Sequence, residues 1–290
     1  MHAAPGKRSA IVDFLCLGVQ KAGTTWLHKV LEEHPQVFVA RGEEDKDTRF
    51  FSHFYDYGYE WYERHFEPGR SAARRGEVST SYFYSKDAPE RVHRYRPDMR
   101  LLLCLRNPLD RLISNHRHEI RIGHVTGENR LLENGLANNP SYVEQSLYAT
   151  QLAHWLEVFP LSSFHVLIFE EVFAAPEAAI RGVYEFLGVD PAFRPPSLHE
   201  KVNEGRIPRS RLADRAFRLA ARGLRRIGLG SLVDSVKRAG AKDLNRASET
   251  RSGSYTTLDP KTRRELQELF AQETRRLEEM LGRDLSVWRH

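Results

Sequence analysis

The order of apolar and polar positions near the start of the chain predicts a strand, a loop and a helix. Residues 11–17, IVDFLCL, form a short apolar run that stops at Gly18, as expected of a buried strand. Residues 27–33, LHKVLEE, have helical spacing and stop before His34-Pro35, because the residue before a proline disfavours the helical conformation. A glycine-containing loop therefore connects the first strand to the first helix.

Two further apolar runs repeat this alternation. A second unit begins at Arg100, where MRLLLCLRNP predicts a compact apolar strand that stops at Pro108 and DRLISNHRHEIR predicts a helix. A third strand is predicted at residues 164–169, FHVLIF, and the following EEVFAAPEAAIRGVYEFLGV suits one amphipathic helix that ends near Gly188. Strands that alternate with helices are typical of a parallel sheet with helices on both faces. We therefore predict an α/β fold with a central parallel sheet, whose ligands bind beyond the carboxyl ends of the strands.

The rest of the chain is consistent with one domain. Residues 1–10 are predicted to be a tail and residues 11–290 a single domain, because nucleotide-binding α/β folds often have this length. Residues 123–142 and 240–260 are predicted to be loops, the second before a charged helix, KTRRELQELFAQETRRLEEML. Residues 206–250 carry much of the excess positive charge. We predict that they form a basic helical and loop insertion facing solvent, an anionic acceptor or a membrane surface.

Composition narrows the classes of partner. Hydrophobic residues make up 40% of the chain and charged residues 29%, which suits a large core and is unlike a disordered chain. The net charge of +5 favours anionic ligands such as nucleotides, sulfated glycans, nucleic acid or acidic lipid. Cys16 and Cys104 lie inside apolar runs and are predicted to be buried free thiols, which fits a reducing, cytoplasmic compartment. We find no apolar signal core in MHAAPGKRSA and no apolar run of membrane length, so we expect a soluble protein.

The first loop has the residues of an anion site. Gly18-Val-Gln-Lys21-Ala-Gly23-Thr24-Thr25 lies where a strand meets a helix, so backbone N–H groups and the helix dipole can bind a phosphate. An ATP-binding P-loop, GxxxxGK[ST], requires lysine where this chain has Thr24, and the lysine here stands three residues earlier, at Lys21. The loop therefore indicates a phosphate site of another kind, and a glycine-rich turn capped by threonines is the structural alternative.

The run Lys-Ala-Gly-Thr-Thr-Trp-Leu at residues 21–27 resembles the (K/R)xGTTWL phosphosulfate loop of the sulfotransferase superfamily. The resemblance extends from about Phe14 to Trp288 and is closest to the heparan sulfate glucosaminyl 3-O-sulfotransferase-like branch and its bacterial relatives. It implies that this loop binds the 5′-phosphosulfate of 3′-phosphoadenosine 5′-phosphosulfate (PAPS). The implied cofactor-binding residues are Lys21, Ala22, Gly23, Thr24, Thr25 and Trp26. Lys21 would lie near the bridging oxygen, where a cation stabilises the charge of the leaving group in the transition state.

Two other segments resemble the parts of the family that bind the 3′-phosphate of the nucleotide. In LLLCLRNPLDRLISNH, Arg106 stands at the end of a strand and Ser114 two turns into the helix, and both side chains can donate to phosphate oxygens. Arg251-Ser252-Gly253 stands where many members carry an Arg-Lys-Gly clamp. Taken alone, Arg106 would be a surface ion-pair residue and residues 251–253 an ordinary loop. The resemblance implies that all of them bind PAPS.

Two carboxylates are candidates for the base that takes the proton of the acceptor hydroxyl. Asp47, in Asp-Thr-Arg-Phe-Phe, stands where the branch has its catalytic glutamate, with a side chain one methylene shorter. Glu77, in Gly-Glu-Val-Ser, is the second candidate. The next residue is Val78, where the branch has a lysine. The resemblance therefore does not imply that this position contacts a glycan acceptor. In the structural alternative, Asp47 only pairs with Lys46 or Arg49 on a solvated turn.

Together these features predict a PAPS-dependent O-sulfotransferase that acts on an alcohol of a carbohydrate or a secondary metabolite and releases PAP. We expect a small-molecule or glycan acceptor, no nucleic-acid partner and no transmembrane segment. No metal is expected, because the histidines lack metal-site spacing. His53 is predicted to be an ordinary loop histidine, or alternatively to line the acceptor pocket. The competing functions are a P-loop nucleotide kinase and a non-catalytic polyanion-binding module built on the basic segment.

Overall fold

The computed structural model describes residues 10–42, 47–200 and 255–289. The chain divides into two compact units. The first consists of Met1–Arg111, Val143–Val202 and Leu266–His290, and the second of Leu112–Tyr142 and Asn203–Glu265. The basic segment 206–250 and the clamp candidates Arg251, Ser252 and Gly253 lie outside the described residues.

A parallel sheet forms the centre of the first unit. Its strands are β1 (Phe14–Cys16), β2 (Val37–Val39), β3 (Arg74–Val78), β4 (Arg100–Leu105) and β5 (Phe164–Ile168). Their order across the sheet is β2-β3-β1-β4-β5, and every neighbouring pair is parallel. All residues of β1 are buried, because a central parallel strand is covered on both faces and so consists of a continuous apolar run. The predicted α/β class with a parallel sheet is confirmed.

Helices connect the strands. In chain order they are α1 (Thr24–Glu32), α2 (Gly58–Arg64), α3 (Ala88–Tyr95), α4 (Pro108–Ile122), α5 (Leu132–Asn138), α6 (Ser141–Glu144), α7 (Tyr148–Leu156), α8 (Phe169–Ala174), α9 (Pro176–Leu187) and α10 (Pro260–Leu281). Short 3₁₀ turns lie at Tyr55–Tyr57, Glu67–Gly69, Gly127–Arg130, Leu161–Ser163 and Ser286–Trp288. Strands β2 and β3 lie on one side of β1, and β4 and β5 lie on the other. The order in which strands are added to the sheet therefore reverses beside β1. A crevice for a ligand is expected at the carboxyl ends of β1 and β4.

Several boundaries differ from the sequence predictions. Strands β2 and β3 were not predicted, because Arg74–Val78, RRGEV, carries polar side chains at its start and has no long apolar run. The single helix predicted after β5 is two helices separated at Ala175, since Pro176 starts a new helix. The loop predicted at residues 123–142 contains α5 and the start of α6. As predicted, Cys16 and Cys104 are buried, and neither forms a disulfide within the described residues.

Candidate active site

The loop after β1 is held against the neighbouring strand by backbone hydrogen bonds. The N–H of Val19 donates to the carbonyl of Cys104 at 2.7 Å, and the N–H of Cys104 donates to the carbonyl of Gly18 at 2.7 Å. Lys21 and Gly23 both have left-handed backbone conformations, with φ of 75° and 85°. Left-handed residues are typical of tight turns in which backbone N–H groups can bind an anion.

The two glycines of this loop lie close to neighbouring elements. A Cβ at Gly18 would lie 3.2 Å from the carbonyl oxygen of Thr80, and a Cβ at Gly23 would lie 3.3 Å from the ring of Phe169. Both glycines also have a positive φ, a backbone conformation that residues other than glycine rarely adopt. The loop can therefore pack between β3 and α8 because these positions lack a Cβ.

Gly23 precedes the first turn of α1, and this end of the helix is suited to an anion. The first turn contains no acidic residue and receives no side-chain cap from Gly23, so the positive end of the helix dipole faces the loop. Thr24 is buried and Thr25 is half-buried. Trp26 is 3% exposed, and its indole N–H donates to the carbonyl of Leu198 at 2.9 Å. Like the buried Ala22, Trp26 can therefore offer a ligand only its backbone.

Arg106, at the end of β4, contacts the same loop. Its Nη1 donates to the carbonyl of Lys21 at 3.4 Å, and its guanidinium carbon lies 4.5 Å from the centroid of the Phe169 ring. Its Nε is buried and has no hydrogen-bond partner among the described residues. A buried donor without a partner is costly, so the arginine is suited to an anionic ligand that supplies the missing acceptor. The structure thus brings Lys21 and Arg106 together.

A scaffold that the sequence analysis missed supports the turn after β4. Glu170 accepts hydrogen bonds from the N–H of Asn107 at 2.9 Å and from the indole N–H of Trp288 at 2.8 Å. Asn107 in turn donates to the carbonyl of Trp288 at 3.1 Å, and the hydroxyl of Tyr148 donates to the carbonyl of Arg106 at 3.0 Å. These residues come from distant parts of the chain, so no local motif indicates them.

Ser114, the other predicted 3′-phosphate residue, lies on α4 within the second unit. Its side chain is half-buried. Its role in nucleotide binding stays a prediction.

Asp47 lies at the carboxyl edge of the sheet, beside the loop. Its Oδ2 accepts hydrogen bonds from the hydroxyl of Ser79 and from the N–H of Thr80, both at 3.3 Å. Thr80 is also the residue whose carbonyl limits the space at Gly18. Arg49 lies 3.8 Å from Oδ1, and the Asp47 side chain is 10% exposed. The ion pair between Asp47 and Arg49 is present. The carboxylate nevertheless lies beside the loop after β1 and is mostly buried, unlike a residue on a solvated turn.

Glu77 is instead a residue of the core. It is fully buried, and its Oε2 accepts hydrogen bonds from the N–H and the hydroxyl of Thr48. Its Oε1 accepts from the hydroxyls of Tyr62 and Tyr82, at 2.9 and 2.7 Å. Burial raises the pKa of Glu77 above its ordinary value, although these hydrogen bonds act in the opposite direction. A carboxyl without exposed surface cannot touch an acceptor, so this placement argues against Glu77 as the base.

We expect Glu77→Ala to lower the free energy of unfolding by about 3 kcal/mol or more, because several buried donors lose their acceptor. Urea unfolding would measure the loss. Glu67→Ala is the control, since Glu67 is exposed and pairs with Arg70 at the surface, and it should change stability by less than about 1 kcal/mol. Equal stability of the two variants would contradict the structural role of Glu77.

The pH dependence of stability gives a second readout of Glu77. Because its pKa is raised in the fold, the folded state binds more protons than the unfolded state between the ordinary and the raised pKa. The contribution of Glu77 to stability therefore falls as the pH rises through that window. Glu77→Gln cannot titrate, so this part of the pH dependence should be absent from the variant.

In the part of the chain that the structure describes, no group of three or more His, Cys, Asp or Glu side chains is arranged to hold a metal ion. Within the same residues, no helix has both the length and the apolar character needed to cross a membrane.

Comparison with known proteins connects this site to a family. The family model described as "Sulfotransferase domain" matches residues 12–204. Heparan sulfate glucosamine 3-O-sulfotransferase 6 of Homo sapiens is 33% identical over 194 residues, which are 65% of this chain and 55% of that protein. Heparan sulfate glucosamine 3-O-sulfotransferase 5 of Homo sapiens is 26% identical over 202 residues, 66% of this chain and 57% of that protein. This chain thus spans little more than half the length of these curated relatives.

A solved structure shares the fold over almost the whole chain. The crystal structure of a sulfotransferase from Alicyclobacillus acidocaldarius matches with a TM-score of 0.67 and 24% identity. The match covers 96% of this chain and 99% of that one.

Proposed function

Because this chain belongs to the sulfotransferase family, we propose that it transfers a sulfuryl group from PAPS to the hydroxyl of a carbohydrate or a secondary-metabolite alcohol. The observation that carries the proposal is the contact between the loop and Arg106. The Lys21–Thr25 loop and the guanidinium of Arg106 meet at the carboxyl ends of β1 and β4. They offer a backbone anion site and a buried donor, the Nε of Arg106, that has no partner among the described residues; a nucleotide with phosphate at both ends requires both features.

In this proposal each candidate site residue of the first unit has a chemical role. PAPS supplies the sulfuryl group and is released as PAP. The backbone N–H groups of residues 21–25 bind the 5′-phosphosulfate, and Lys21 stabilises the negative charge that grows on the leaving oxygen. Arg106 binds the 3′-phosphate. Asp47 takes the proton of the acceptor hydroxyl, because it is the carboxylate held beside the loop.

The proposed carbohydrate acceptor is supported by the relatives, whose names state action on heparan sulfate glucosamine. A screen with labelled PAPS, with heparan sulfate first and a panel of simple sugars and alcohols after it, would test the activity. Phosphate release from ATP with magnesium and no sulfation would favour a P-loop kinase. Salt-sensitive heparin binding without affinity for PAP would favour a polyanion-binding module. The cytoplasmic location, which fits two buried cysteines outside any disulfide in the described residues, stays a prediction.

We expect PAP to raise the melting temperature much more than AMP does, because only PAP carries the 3′-phosphate assigned to Arg106. Arg106→Ala should weaken PAP binding by about 1.5 to 3 kcal/mol, the usual contribution of a charged hydrogen bond. AMP binding should change little in this variant. Differential scanning fluorimetry and calorimetric titration would measure both effects.

Arg70→Ala is the matched control, since Arg70 is an exposed arginine that pairs with Glu67. It should bind PAP as the unmodified chain does. Equal thermal shifts with PAP and AMP, or unchanged PAP affinity in Arg106→Ala, would remove Arg106 from the 3′-phosphate site.

A further inference from the structure

A chain of hydrogen-bonded hydroxyls connects Asp47 to a histidine on the surface. Ser79 Oγ lies 3.3 Å from Asp47 Oδ2 and 3.3 Å from Ser81 Oγ. Ser81 Oγ lies 2.7 Å from Ser52 Oγ, which is 2.8 Å from Nδ1 of His53. The hydroxyls come from two segments, the turn after β3 and the Phe-Phe-Ser-His stretch that follows Asp47 in the sequence. Every link is within hydrogen-bonding distance.

The chain runs from the interior to solvent. Ser79 is fully buried, Ser81 is 5% exposed and Ser52 is half-buried, whereas His53 is exposed. The Asp47 side chain is only 10% exposed, and a bound acceptor would cover it further. The hydroxyl chain therefore offers a path from the carboxylate to the surface of the protein.

Two arginines lie close to this path. Arg49 faces Asp47 from the same loop, at 3.8 Å. Arg91 of α3 donates to the carbonyl of Phe51 at 3.0 Å and pairs with Asp87 at 2.9 Å. Among the described residues, Asp47 is the carboxylate that contacts the hydroxyls of the chain. Asp47 thus lies at the inner end of the path, beside Arg49.

We propose that Ser79, Ser81 and Ser52 conduct the acceptor proton from Asp47 to His53, which releases it to solvent. The proposal rests on the proposed function, with Asp47 as the base. The acceptor oxygen forms a bond to sulfur, the bond from sulfur to the phosphate oxygen of PAPS breaks, and PAP leaves with that electron pair. The acceptor proton goes to Asp47. It then moves by successive transfers between the hydroxyls to the imidazole, and Asp47 is again a carboxylate.

The histidine is suited to the outer end of this path. Imidazole is a stronger base than carboxylate and exchanges its proton with water near neutral pH. The transfer requires neutral His53 to accept from Ser52 through Nδ1 and to carry its proton on Nε2. The carbonyl of Arg49, at 3.3 Å from Ser52 Oγ, and Ser81 Oγ, at 2.7 Å, are the other acceptors for that hydroxyl. The tautomer of His53 therefore distinguishes a conducting chain from a static one.

Nitrogen-15 chemical shifts of the His53 ring test this requirement without any acceptor. At a pH where the ring is neutral, the expected spectrum has an unprotonated Nδ1 that accepts a hydrogen bond and a protonated Nε2. Ser81→Ala interrupts the chain and should alter the Nδ1 shift, while Ser85→Ala removes a hydroxyl of the same turn outside the chain and should not. A neutral ring with its proton on Nδ1 would overturn the proposal.

Turnover provides the functional test, with heparan sulfate as the acceptor or, should the screen select another alcohol, with that alcohol. In dilute non-imidazole buffer, we expect His53→Ala and Ser81→Ala to lower kcat about tenfold, less than the loss caused by removing the base itself. Added imidazole should restore turnover in His53→Ala, because it replaces the missing proton acceptor at the surface. It should not restore Ser81→Ala, whose chain is broken inside. PAP affinity should be unchanged in both.

The outcomes separate the two proposals. Normal turnover in His53→Ala and Ser81→Ala, together with an inactive Asp47→Asn, would reject the proton path and leave Asp47 as the base. Normal turnover in Asp47→Asn would reject the base and, with it, the path. His53 lies on the surface, so its variants remain informative even should Ser81→Ala fail to fold.

Discussion

Asp47→Asn is expected to lower turnover by about 10²- to 10⁴-fold, because the amide has nearly the same shape but cannot take a proton. The amide oxygen can still accept the hydrogen bond from the N–H of Thr80, so the turn beside the loop should keep its conformation. PAP affinity should therefore stay nearly constant. Steady-state kinetics with saturating acceptor, together with calorimetric PAP binding, would measure the two effects separately.

Asp56→Asn is a suitable control, since Asp56 is an exposed carboxylate in the 3₁₀ turn Tyr55–Tyr57. It should leave turnover unchanged. Thermal melts of both variants would show whether a loss of activity comes from a loss of fold. Near-normal turnover in Asp47→Asn at saturating acceptor would mean that another group takes the proton.

Lys21→Ala is expected to lower kcat by about 10²- to 10³-fold, the usual effect of removing a group that stabilises charge in the transition state. PAP binding should weaken much less, because the charge that Lys21 meets appears mainly when the sulfuryl group departs. The backbone carbonyl of Lys21 that Arg106 contacts is kept in the variant. Single-turnover rates and PAP affinity would be compared.

Lys29→Ala is the matched control, because Lys29 lies on α1 and pairs with Glu200 near the surface. Its turnover should equal that of the unmodified chain. A defect of Lys21→Ala that is confined to PAP affinity would contradict the leaving-group role.

The central elements of the fold could be predicted from the sequence. Strands β1, β4 and β5 contain apolar runs because both faces of a parallel sheet are covered, and the loop after β1 carries its glycines and lysine in one short stretch. The strand β3 could not be predicted, because RRGEV has no apolar run. Its place beside β1 depends on pairing with a strand about 60 residues earlier, and such contacts leave no local pattern.

The sequence by itself indicated the loop after β1 as a candidate anion site, since Lys21, Gly23 and the following threonines stand in one short stretch between a strand and a helix. It also supplied two carboxylates, Asp47 and Glu77, and the resemblance favoured Asp47 as the base, but the neighbouring residues do not indicate how deeply either is buried. Only the tertiary structure shows where each carboxylate lies. It encloses Glu77 among two tyrosines and Thr48 and holds Asp47 beside the loop. Burial and hydrogen bonding depend on segments that are distant in the chain, and for that reason they cannot be deduced from the residue type or its neighbours.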